Sequence, residues 1–248
     1  MYKDKYVLSR EAGELRRHLG VDEQSQIDVF RLAHTIESLS LVFYPMGERI
    51  SGMCIKGPDD VLIAINSAMT HGRQRFSMAH ELYHYYYDEM DTMICASDIG
   101  EPSAAERNAN IFASFFLAPP AALSSAIKAI KQSKAVLGLS DVIKLEQFFG
   151  MSRQAMLTRL SDEGELSLDD TIPMRSNIIS GALALGYDDM LYRPLPKGDD
   201  KKTYGRYIKR VEELLERGLI SDGKYEELLL EAFRADLVYG FEERGEFD

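Results

Sequence analysis

Apolar residues recur at helical spacing over residues 8 to 19. They do so again over 26 to 39, where Val29, Leu32, Ala33, Ile36 and Leu39 fall three or four apart. The spacing predicts two amphipathic helices. The pattern then tightens into short extended runs. Leu41-Val42-Phe43-Tyr44 is apolar and aromatic and ends at Pro45 and Gly47, while residues 52–56 and 61–66 flank a Gly57-Pro58-Asp59-Asp60 turn. Turn residues between two extended runs predict a hairpin, and with it a small, mostly antiparallel sheet. A long helix is expected from about 70 to 88, a polar loop over 89–102, and a helix over 103–117 that Ala118-Pro119-Pro120 stops.

Beyond residue 120 the pattern is almost wholly helical, so the fold class is α+β with a helical C-terminal half. Four regions follow: 1–120 with the sheet and its helices, 121–165 with two short helices around Gly150, an irregular linker over 166–203, and a helical hairpin over 204–248. In that hairpin Val211, Leu214 and Leu215 line one arm, Gly218 breaks it, and Tyr225, Leu228, Leu229 and Phe233 line the other.

Composition narrows the class. The 248 residues are 45% hydrophobic and carry a formal net charge of −11. That balance repels nucleic-acid phosphates and suits a basic protein partner. No run of about 18 uncharged apolar residues occurs, which predicts no membrane association and a cytoplasmic protein. Cys54 and Cys95 are expected as two free thiols, with no metal-ligand spacing around either.

The chemistry lies in the 70–88 helix, where His80-Glu81-Leu82-Tyr83-His84 matches H-E-x-x-H. Residues four apart share one helix face, so both imidazoles can reach one metal. Glu81, one position on, can act on water beside that metal. The pattern predicts a zinc-dependent peptidase with Glu81 as general base. A catalytic zinc needs a third protein ligand, and no histidine follows His84; Tyr87 and Met90 stand where a longer zinc motif would continue. Glu106 is one candidate, on a face shared with Ala109, Asn110 and Ala113. Ser103-Ala104-Ala105-Glu106 also reads as a capping box, in which Glu106 would serve the backbone instead. Asp88 and Glu101 are the alternatives, and spacing alone leaves the choice open.

Residues 27 to 160 resemble the ImmA/IrrE-type metallopeptidase family. The likeness rests on Asn66, on Arg73-Gln74-Arg75-Phe76-Ser77-Met78-Ala79-His80-Glu81-Leu82-Tyr83-His84, on Glu106-Arg107-Asn108-Ala109-Asn110-Ile111-Phe112-Ala113-Ser114 and on Leu117-Ala118-Pro119. The resemblance implies a minimal zincin-like core over 1–120, with His80, His84 and Glu106 as zinc ligands and Glu81 as the base. It also implies site-specific cleavage of a helix-turn-helix repressor that relieves repression of mobile-element, phage or stress genes; manganese could replace zinc in vitro. Tyr83, Asn108 and Ala118 depart from the family's usual residues, and none removes a proposed ligand.

Other signals have plainer readings. Tyr85-Tyr86-Tyr87 is expected to pack the helix, although a tyrosine or His71 could stabilise an oxyanion. Arg75 is expected to be a structural ion-pair partner. Residues 145–160 look like a helix-turn-helix with Arg153 and Arg159 on the second helix. Given the acidic balance, a packed helical pair is favoured there over DNA binding through 140–162. The alternative function is a regulator that binds DNA or sequesters a repressor, with the metal sensory or structural. Acidic runs such as Glu212-Glu213 and Glu242-Glu243 read as solvated.

Overall fold

The structure, a computed structural model, describes residues 2–88, 92–96, 103–132 and 136–240. In chain order the elements are α1 (Lys5–His18), α2 (Val29–Ala33), β1 (Leu39–Tyr44), β2 (Ile50–Lys56), β3 (Val61–Asn66), α3 (His71–Tyr87), β4 (Thr92–Ala96) and α4 (Ala104–Leu117). There follow α5 (Pro120–Lys131), α6 (Leu139–Phe149), α7 (Arg153–Asp162), α8 (Leu168–Thr171), α9 (Ile178–Ala184), β5 (Lys202–Gly205), α10 (Arg206–Glu216), α11 (Asp222–Glu231) and α12 (Ala235–Tyr239). The fold is α+β, as expected. Its sheet runs β4-β2-β3-β1-β5, with only the β1–β3 pair parallel among the described strands.

β3 sits at the centre of the sheet. Val61, Ile63, Ala64 and Ile65 are all buried, which explains its unbroken apolar run, since a strand covered on both faces loses the usual alternation. The Gly57 N–H closes the β2–β3 turn on the Asp60 carbonyl at 2.7 Å. At the end of β3, Asn66 donates to the carbonyls of Met46, Gly47 and Ile50 and accepts from the Met46 and Ala68 amides. One side chain thus ties down the β1–β2 loop, a role that the sequence alone did not assign to it.

α3 lies against β2 and β3, α4 against α3, and α1 against α4. Eleven residues of α3 are buried, Gln74, Arg75, His80, Glu81 and His84 among them. Buried polar groups are costly unless partnered. Arg75 finds its partners in the carbonyls of Gly150 and Ile27, so it is structural through backbone oxygens rather than through the expected ion pair. Gly150 sits at φ 63, and a Cβ there would come within 2.5 Å of the Arg75 guanidinium. Gln74 donates to the carbonyls of Ser67 and Met69.

Several elements differ from the periodicity reading. The helix expected over 26–39 shrinks to α2, capped by Asp28; Ile36 and Leu39 reach the core from a turn and a strand instead. Within 89–102, residues 92–96 form β4 beside β2, and the rest lies outside the described residues. Residues 166–203 hold α8, α9 and two 3-10 turns. Leu191 and Tyr192 are buried there, and the Arg193 carbonyl accepts the His71 N–H at 2.8 Å, serving a backbone donor that the first turn of α3 leaves open. β5 adds an edge to the sheet and leads through Gly205 (φ 81) into α10. α10 and α11 pack through Ile208, Val211, Leu229 and Ala232, whereas Phe233 ends α11 at φ 61 and meets Tyr44. Glu242 and Glu243 lie outside the described residues. Among the described residues no single helix is long and apolar enough to cross a membrane.

Candidate metal centre

α3 and α4 bring His80, His84 and Glu106 together, with one potential ligand atom from each inside a 4.8 Å cluster. The imidazole Nε2 atoms of His80 and His84 stand 3.1 Å apart. The Glu106 carboxylate faces both, 3.3 Å from His80 Nε2 and 3.4 Å from His84 Nε2. Two donors at about 2.0–2.1 Å from one zinc in a tetrahedron stand roughly 3.3–3.4 Å apart. The two Glu106 contacts, one from each carboxylate oxygen, match that figure and the His80–His84 separation is slightly shorter, a spacing compatible with one ion.

The hydrogen bonds of the histidines point the same way. His80 Nδ1 lies 3.0 Å from Asn110 Oδ1, and His84 Nδ1 lies 3.0 Å from Asp88 Oδ2. With each Nδ1–H given to an oxygen acceptor, each Nε2 presents a lone pair to the other and to a carboxylate. Three electron-rich atoms converging in a mostly buried site call for a cation.

The capping box at α4 is half realised. Ser103 Oγ accepts the Glu106 N–H at 3.2 Å, which leaves the Glu106 carboxylate to face the histidines. Asp88 lies behind His84, on the nitrogen turned away from Glu106. Glu101 lies outside the described residues.

Glu81 is fully buried, and its carboxylate lies against β2. A Cβ at Gly52 would stand 2.6 Å from Glu81 Oε1 and 3.1 Å from the Ala64 carbonyl, so a glycine there leaves the slot that the carboxylate fills. The buried Cys54 thiol is pushed up to about 12, first by burial and then by the charge of Glu81, which makes it inert. Cys95 is described by its backbone, opposite Gly52. Gly52→Ala is expected to displace Glu81 and lower peptidase turnover by about tenfold or more, given that misplacement by about 1 Å can cost on the order of 10²-fold. Metal content should stay unchanged, and undiminished turnover would show that the slot does not position Glu81.

The oxyanion candidates are engaged elsewhere. His71 opens α3 beside the Phe30 ring, nine residues or roughly 13 Å of helix before His80. The Tyr85 hydroxyl pairs with Ser38 at 2.9 Å, Tyr86 packs on His18, and Tyr87 donates to the Glu11 carbonyl. Of the departures from the family pattern, Tyr83 stacks on Tyr87 and packs against Phe112, Asn108 accepts the Lys3 N–H, and Ala118 is buried in the core. Arg153 and Arg159 are both buried. Arg153 is paired with Glu146; Arg159 is paired with Glu163 and packed over the Phe115 ring. The neighbour of Glu81 that sequence reading did not single out is Gly52, which carries no chemical signal of its own.

Residues 23–161, more than half of the chain, match the model of a peptidase family, M78, described as the IrrE N-terminal-like domain. The chain is also 39% identical over 57 residues to a radiation response metalloprotease, IrrE, from Deinococcus deserti. That alignment covers 23% of this chain and 19% of the relative, so the shared stretch is a minor part of both.

Proposed function

The chain belongs to the IrrE N-terminal-like metallopeptidase family, and from that premise we propose that it is a zinc-dependent endopeptidase acting on a helix-turn-helix repressor. The observation that carries the zinc reading is the convergence of the two Nε2 atoms of His80 and His84, 3.1 Å apart, on the Glu106 carboxylate, whose two oxygens lie 3.3 and 3.4 Å from them. Two imidazoles and one carboxylate are the donor set of a catalytic zinc, which keeps one position open, rather than of a closed structural site. Zinc held there supplies Lewis acidity, polarising a peptide carbonyl and acidifying water. Glu81 takes the proton from the attacking water and delivers it to the leaving amine. Manganese has compatible ligands in the same site and can serve in vitro.

The repressor substrate rests on the family resemblance, and an acidic chain also suits a basic partner. The DNA-binding alternative loses support from the side chains that it needs, because the guanidinium groups of Arg153 and Arg159 are buried and neutralised by glutamates. The purified protein is expected to carry one zinc, which His80→Ala and Glu106→Ala lose. It should also cleave the helix-turn-helix protein encoded beside it, and a chelator should stop the cleavage. Metal analysis and a gel of the incubated pair test both points. A metal-free wild type, or cleavage indifferent to the chelator, would overturn the reading.

A further inference from the structure

We propose that Asp88 is a positioning residue for the metal centre, holding the His84 imidazole in the tautomer and orientation that ligation needs, with Asn110 doing the same more weakly for His80. This inference rests on the zinc reading given above. Its starting point is where α3 ends. Asp88 is the first residue past the helix, at φ −101 and ψ 144, while its N–H still bonds the His84 carbonyl at 3.3 Å. The chain turns out of the helix there, and the side chain folds back one turn onto the His84 ring. Lys56 on β2 donates its ammonium to the Asp88 carbonyl and so ties this position to the sheet. The resulting contact is His84 Nδ1 to Asp88 Oδ2 at 3.0 Å, with both side chains largely shielded, at 1% and 15% exposure.

The geometry gives the contact a direction. A carboxylate oxygen at this distance is met by an N–H on His84 Nδ1, and in the neutral ring that tautomer leaves the Nε2 lone pair facing His80 and Glu106. Without an acceptor at Nδ1, the neutral ring can place its proton on either nitrogen and rotate about its χ2 bond, and part of the population would present an N–H to the metal. A carboxylate partner also makes the imidazole a stronger donor to the metal. Asn110 Oδ1 makes the matching contact to His80 Nδ1 at 3.0 Å, but it is uncharged and exposed, so water can replace it at little cost.

The test measures zinc affinity by competition with a chromophoric chelator, using the full chain and Zn2+ alone, so it needs no knowledge of the substrate. Asp88→Ala is expected to bind zinc about 10–100-fold more weakly, the range typical for loss of such an outer partner. Asp88→Asn keeps an acceptor oxygen in the same place and is expected to recover part of that loss. Asn110→Ala should lose less than Asp88→Ala. Melting of the metal-free proteins should be alike, because the effect lies in the ring and not in the fold. Asp88→Ala and Asp88→Asn both binding zinc as tightly as the unsubstituted chain would overturn the assignment. Should Asp88→Ala fail to fold, Asp88→Leu, which fills the same space without an acceptor, takes its place, and zinc binding by it as tight as that of the unsubstituted chain would overturn the assignment. A wild-type chain that binds no zinc would instead overturn the metal reading itself.

Discussion

Glu81→Gln is expected to keep its zinc and to lose repressor cleavage by about 10²–10⁴-fold, the usual contribution of a positioned proton-transfer group. The amide is nearly isosteric with the carboxylate, so it fits the slot that Gly52 leaves beside β2 and disturbs neither His80 nor His84. What it loses is basicity. An amide oxygen cannot take a proton from water near neutral pH, and its NH2 cannot return one to the leaving amine. On the scale of about 1.4 kcal/mol per factor of ten, the loss is roughly 3–5 kcal/mol of transition-state stabilisation. Paired measurements decide it: zinc content per chain, and the initial rate of cleavage at saturating repressor. Full cleavage by Glu81→Gln would remove Glu81 from the base role, whereas relief of repression by Glu81→Gln with no cleavage would sink the peptidase reading and favour a protein that sequesters its partner.

The H-E-x-x-H helix was legible in the sequence because two independent signals agree there, an apolar run that ends in a turn and histidines one helical turn apart. The β2–β3 hairpin was legible for a similar reason, as Gly57 to Asp60 have turn chemistry and their flanks do not. Glu106 was legible only by resemblance. Ser103 caps α4 whether or not the glutamate reciprocates, so the local pattern is the same in both cases. β4 and β5 left little trace. Each is a short edge strand held by backbone pairing to one neighbour, and Lys202–Gly205 has no apolar alternation to report. Asp88 could be weighed as a ligand from its spacing, but which nitrogen of His84 it meets depends on how the chain leaves the helix. There the Asp88 carbonyl is held by Lys56, 32 residues earlier and on β2.

The helix pair α6–α7 shows the opposite failure, since its cations look like a nucleic-acid signal and are not placed as one. Arg153 is 2% exposed and makes a two-pronged contact with Glu146, at 2.6 and 2.8 Å, while a third N–H goes to the Met174 carbonyl at 2.7 Å. The Tyr192 hydroxyl completes the cluster with a 2.6 Å bond to the same glutamate, which is itself fully buried. This network fastens residues 174 and 192 onto the helix pair, and the pair is fastened in turn to α3 through Arg75 and Gly150. Arg153→Ala would leave Glu146 as a buried charge with its principal counter-ion gone. Such losses cost about 3–5 kcal/mol. For a chain of this size, 1 kcal/mol moves the melting temperature by about 2–4 °C, so a fall of roughly 6–20 °C is expected. The double substitution Arg153→Met with Glu146→Leu removes both charges and should recover much of the fall, because apolar replacements fill the volume without an orphaned ion. A melting curve for each variant checks this directly. An Arg153→Ala protein that melts like the wild type but loses salt-sensitive DNA binding would mean that the guanidinium leaves its pocket to meet phosphate. In that case the regulator reading would return.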